Sequence, residues 1–145
     1  MYRLTLSLII ILLGMTGPLV AQDSLLLHCP LREKLEPPAS KNAQSIGAAD
    51  LQAVWISRTD TAVRAVAGGM INLVLHDEDG KWELFLVHDD LTFWYSGLAR
   101  LNVVKGQPVK AGELIAQCRK GDRIILRMMD AETSVDPKPW LNCGD

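Results

Sequence analysis

No stretch of this chain repeats apolar residues at the helical period for long, which argues against a helical bundle or a parallel α/β sheet. No charge of one sign dominates either. Fifteen Lys and Arg face 17 Asp and Glu, for a formal net charge of −2, and the basic residues are scattered singly, which excludes the footprint of a nucleic-acid or anionic-membrane partner. No apolar run reaches the roughly 20 residues needed to cross a bilayer. The longest, residues 4–13, gives way to Gly14, Thr16, Gly17 and Pro18. Cysteine is scarce, and Cys29, Cys118 and Cys143 match no zinc-binding spacing.

What is present begins with export. Arg3, the apolar run and Leu19-Val20-Ala21 have the three regions of a secretory signal, so residues 1–21 are expected to be removed after Ala21. No Cys follows at position 22, and the expected product is a soluble exported protein, periplasmic or extracellular, without a transmembrane anchor once the signal is cleaved. An oxidising compartment permits disulfides. Three cysteines allow one bridge and leave one thiol; a bridge between Cys29 and Cys143 would tie down both ends, and the other two pairings stay open.

Residues 22–45 read as an irregular leader wrapped on the domain, punctuated by Cys29-Pro30 and Pro37-Pro38. Residues 46–145 suit a single domain with one core. Within them, Ala48-Ala49-Asp50-Leu51-Gln52-Ala53 has fair helix propensity and marks the one place for a short helix. From Ala62 onward short runs near period 2 alternate with turns: residues 70–76, then Asp77-Glu78-Asp79-Gly80 as a hairpin turn, then residues 81–88, 91–98, 114–117 and 124–129. The apolar residues on both faces of 81–88 place that strand centrally. The fold class expected is all-β, an antiparallel sandwich or barrel.

Four pieces in order resemble the lysostaphin-like, or LytM-type, zinc endopeptidases that cut peptide crosslinks in peptidoglycan. They are Asp60-Thr61-Ala62-Val63-Arg64-Ala65 with Gly69, Tyr95-Ser96-Gly97-Leu98, the run V-K-G-Q-P-V-K-A-G-E-L-I from Val104 to Ile115, and Val135-Asp136-Pro137. The resemblance spans a little over half the chain and implies the duplicated hybrid β-fold of that family. It also implies where zinc ligands would stand. A catalytic zinc is held by imidazole and carboxylate with one position open, and acidifies its bound water for attack on an amide. The family's first histidine falls on Asp50 and its partner aspartate on Val54; the histidine of the second piece falls on Gly97; the two histidines of the last strand fall on Arg123 and Ile125. Val54, Gly97 and Ile125 have no group that binds metal or moves a proton, so no catalytic residue and no zinc are expected.

The resemblance therefore implies an exported, catalytically inactive peptidase-like domain that binds peptidoglycan or regulates a cell-wall hydrolase, as degenerate members that activate amidases do. The alternative is a metal-dependent peptidoglycan endopeptidase with a non-standard site drawn from Asp50, His28, His76 or His88. A lipoyl- or biotinyl-type carrier is a third reading, which Lys81 beside Gly80 and Trp82 matches poorly. The old site, at Asp50, Val54, Tyr95, Gly97, Arg123, Ile125 and Arg127, is the expected binding groove, with Tyr95 its foremost contact. Arg123 and Arg127 put two cations on one face of a strand, to pair with a partner's carboxylates or with Asp50 or Glu132 in the fold. The aromatic residues Phe93, Trp94, Tyr95, Trp55, Trp82 and Trp140 read either as core or as groove lining.

Overall fold

The computed structural model describes residues 25–37 and 51–144. The expected signal segment, the rest of the leader and Asp50 lie outside them. In chain order the strands are β1 (Leu27–His28), β2 (Gln52–Ile56), β3 (Ala62–Arg64), β4 (Gly69–His76), β5 (Trp82–His88) and β6 (Leu91–Leu98). Then come β7 (Arg100–Leu101), β8 (Pro108–Val109), β9 (Leu114–Gln117), β10 (Arg123–Asp130), β11 (Thr133–Val135) and β12 (Leu141–Asn142). A 3-10 turn at Lys138–Trp140 lies between β11 and β12, and strands dominate the described residues, in keeping with an all-β chain.

The main sheet runs β11-β10-β6-β5-β4-β8, with β2 also paired to β10, and all of its pairings are antiparallel. Strand β5 sits between β4 and β6, as its two apolar faces require. A small sheet, β3-β9-β7, packs apart from it. The short helix expected around Ala48 to Ala53 is replaced from Gln52 onward by β2: pairing five residues with β10 and burying Ala53 and Trp55 outweighs a local propensity worth only tenths of a kcal/mol per residue.

Alternation along the strands fills the core. Trp55, Phe93, Tyr95, Leu84, Leu86, Ile124 and Leu126 are fully buried, and the small sheet adds Val63, Ile115 and Ala116. Residues 25–37 contribute to the same core through Leu27 and Leu31, both fully buried. Backbone bonds from His28 N–H to Val66 O at 2.8 Å and from Arg64 N–H to Pro30 O at 2.9 Å hold that segment in place. β1 pairs in parallel with β12, and beside this pair Cys29 and Cys143 form the disulfide, with Cα atoms 4.6 Å apart. Cys118 is the remaining thiol, buried, with burial pushing its pKa up.

Candidate functional site

Strands β6, β10 and β2 lie side by side, so register assembles rows of side chains across them. Ser96, Ile125 and Val54 form one row. Two residues along, Trp94, Arg127 and Gln52 form the next, and Phe85 of β5 and Leu73 of β4 extend it across five strands. Their chain neighbours Ile124, Leu126, Phe93 and Tyr95 point into the core, so by the two-residue period these rows occupy the sheet's outer face. Arg123, opposite Ile56, ends the face and is exposed.

The second row is an organised surface. The Phe85 and Trp94 rings are stacked with centroids 5.3 Å apart and planes 17° apart. The Arg127 guanidinium lies 4.6 Å above the Trp94 ring, a cation–π contact. The Trp94 indole N–H donates to Glu83 Oε2 at 3.0 Å, which fixes the ring. Arg123 has no carboxylate partner among the described residues, and neither arginine is paired with Glu132.

Gly97 sits in a bulge of β6. Trp82 pairs with Leu98 and Leu84 with Tyr95, so Ser96 and Gly97 together face the single residue Glu83. Its φ is +85°, and a Cβ added there would run into the Arg123 carbonyl. The position is therefore shaped for glycine, and any side chain would force β6 and β10 apart.

The structure brings Val54, Ile125, Arg123 and Arg127 together on this face and puts Gly97 at its edge, while Asp50 lies outside the described residues. Tyr95 is a correction. It was expected as the foremost groove contact, but it is fully buried, and its hydroxyl accepts the Val66 N–H at 2.9 Å. Burial pushes its phenol pKa well up, more than that hydrogen bond brings it down. Its direction follows from alternation: in Phe93-Trp94-Tyr95 the outer two face inward together and Trp94 alone faces out. The Phe85, Trp94 and Arg127 stack was missed in the sequence, where period-2 counting on β5, β6 and β10 carried the signal.

The side chains that register gathers here do not fit zinc: valine, isoleucine, serine, glycine and two arginines offer no imidazole or carboxylate to a metal. Among the described residues no three His, Cys, Asp or Glu come together as a metal site. The histidines are dispersed. His76 packs on Trp82 with ring centroids 4.5 Å apart, His88 Nδ1 lies 2.5 Å from Gly68 O, and His28 pairs in register with Asn142.

Carboxylates instead brace the loops at the Arg123 end of the face. Glu33 Oε1 accepts the backbone N–H groups of Arg58, Thr59 and Asp60 at 2.9, 2.5 and 2.9 Å, and those bonds hold its pKa down to about 2. Asp60 accepts from Arg32 N–H and Arg64, and Asp122 from Lys81 Nζ at 2.6 Å; burial alone would raise both pKa values, but these bonds together lower them. No sequence signal marked Glu33, because the nest of N–H groups it fills exists only after folding.

No family model matches the chain, and a comparison with curated proteins finds no match. Solved structures do match. Csd3 of Helicobacter pylori superposes with a TM-score of 0.68 at 14% identity, over 82% of this chain and 34% of that one. The fold is that of the LytM-type peptidases. The antimicrobial peptidase lysostaphin from Staphylococcus simulans gives a TM-score of 0.62 at 21% identity, covering 79% of this chain and 52% of its own. A chain of the SpoIIQ–SpoIIIAH pore-forming complex gives 0.64 at 14% identity, with 81% and 92% covered. The chain thus spans about a third of Csd3 and half of lysostaphin, and at these identities the likeness is one of fold.

Proposed function

We propose that this chain is an exported peptidase-like domain that binds cell-wall peptide, or a hydrolase that works on it, and does not cut. The observation that carries the reading is the outer face of β2, β10 and β6: register gathers Val54, Ile125 and Arg123 beside Gly97, the residues that the resemblance sets at zinc-ligand positions. A face with these side chains supports recognition by shape and charge. Arg123 is free of carboxylate partners among the described residues and is suited to fork onto a carboxylate, and Arg127, held over Trp94, is suited to a second. Wall stem peptides and acidic protein segments both offer such groups. The secretory signal and the Cys29–Cys143 bridge support a periplasmic or extracellular setting.

The test is co-sedimentation of the purified chain with isolated peptidoglycan, beside wall hydrolases added in solution. Binding should weaken about tenfold for each of Arg123→Ala and Arg127→Ala, the scale of one lost charge-assisted hydrogen bond, while the unfolding midpoint barely moves. Clearing of cell-wall material in a gel by the unaltered chain, abolished by a chelator, would overturn the reading in favour of the metal-dependent endopeptidase with a non-standard site.

A further inference from the structure

The two long edges of the main sheet are treated differently. On the β2 side, Glu36 N–H donates to Val54 O at 2.8 Å, Leu35 bridges to Trp55, and Lys138 Nζ reaches Gln52 O at 3.0 Å, so that edge is covered. On the β4 side, cover stops early. β8 pairs only with Gly69 and Met70. Ile71 N–H then donates to Gln107 O at 2.9 Å, and Ile71 O accepts Gly106 N–H at 2.7 Å. From Asn72 to His76 no described residue pairs with the outer edge.

Backbone direction shows which groups are left. Asp77 N–H reaches Lys81 O across the hairpin at 2.8 Å. By the alternation of antiparallel strands, Leu75 and Leu73 also turn their N–H and C=O toward β5, and Val74 and His76 turn theirs to the open side. Beyond the bulge at Asn72, between Ile71 and Leu73, this edge has little of the usual protection. The stretch Asn-Leu-Val-Leu-His carries neither proline nor a fixed charge, and Leu75 is 43% exposed.

We propose that this edge pairs antiparallel with the same edge of a second copy of the chain, about a two-fold axis near Val74. Charge selects that occupant. The stretch itself holds nothing to repel its own copy, and its two ends are opposite in sign. Beyond His76 come Asp77, Glu78 and Asp79; at the Ile71 end the loop that closes on the strand carries exposed Lys105, with Lys110 just past β8. Antiparallel pairing centred on Val74 sets Leu73 opposite the second copy's Leu75, twice, and brings each acidic turn to the other copy's Lys105 loop, also twice. Five residues of edge bury less than the roughly 1,000 Å² of a durable interface, so the dimer is concentration-dependent.

Sedimentation equilibrium of the exported chain from micromolar to millimolar concentration tests this. A monomer–dimer equilibrium is expected, and Leu75→Lys, a change at an exposed position, should abolish it. Glu78→Lys and Lys105→Glu should each weaken the dimer about tenfold and restore it when combined in one chain, a rescue that a folding defect does not produce. A chain that stays monomeric throughout, or a dimer indifferent to Leu75→Lys, overturns the proposal. Neither result bears on wall binding, which uses the opposite end of the sheet.

Discussion

Strand β10 carries two different sets of side chains on one backbone. Its inner set, Ile124, Leu126 and Met128, is 0–2% exposed, while its outer set, Arg123, Ile125 and Arg127, is exposed or half-buried. The inner set is what the peptidase fold needs, because those residues meet Trp55, Phe93 and Tyr95 in the core. The outer set, where the resemblance to zinc endopeptidases puts two of the metal ligands, is a cation, an isoleucine and a second cation. The difference teaches that a two-residue period separates the requirements: the face that folds is fixed by packing, while the residues on the other face are free to serve something else.

That separation breaks if the two faces respond alike to truncation. Leu126→Ala should cost about 2–5 kcal/mol, the range for emptying a packed core site, and Ile125→Ala, one residue away on the outer face, under about 1 kcal/mol; urea unfolding of the pair measures both. Equal losses would show that Ile125 is structural. Tyr95→Phe sharpens the inner side, since it keeps the ring and strands the Val66 N–H in the core. A loss of about 1–3 kcal/mol is expected, with wall binding unchanged. A fall in binding without loss of stability would return Tyr95 to the ligand.

The smallest effect concerns the loops at the Arg123 end of the face. The Thr59, Asp60 and Arg58 N–H groups hold the folded Glu33 carboxyl down to about 2 from its ordinary 4.5, and hydrogen bonds also lower Asp60 and Asp122 from 3.8. A depressed carboxylate stabilises the fold fully above its unfolded pKa, and that contribution is lost as pH falls through the folded value. Unfolding midpoints should therefore hold at neutral pH and decline below about pH 4.5 toward pH 2. Glu33→Gln should flatten part of that decline, and an unaltered slope would remove Glu33 from the account.

Much of the fold was legible because its turns are written in residue types with few alternatives. Gly106 and Gly112 both have φ above +80°, and Asp77-Glu78-Asp79-Gly80 forms the hairpin its composition indicates, closed by Asp77 N–H on Lys81 O. Strand β2 was less legible, since nothing local outbids the helix propensity around Ala53; only the partner β10, some 70 residues later, decides it. The pairing of Cys29 with Cys143 depended in the same way on β1 meeting β12. Of the candidate site, Arg123 and Ile125 were placed by counting back from Val135 with no gap between, whereas the position of Val54 beside Ile125 depends on β2 meeting β10. Tyr95 was misplaced because the resemblance located the position in sequence, whereas the pleat decides which side it serves.

The junction of β1, β12 and the disulfide has a mechanical consequence. Cys29 and Cys143 are 114 residues apart in sequence and 4.6 Å apart in space. Tension applied between β1 and the segment after Cys143 crosses one covalent link and bypasses the chain between the two cysteines, which holds the main sheet and the small sheet. A pull on both ends would therefore leave the face on β10 out of the line of force.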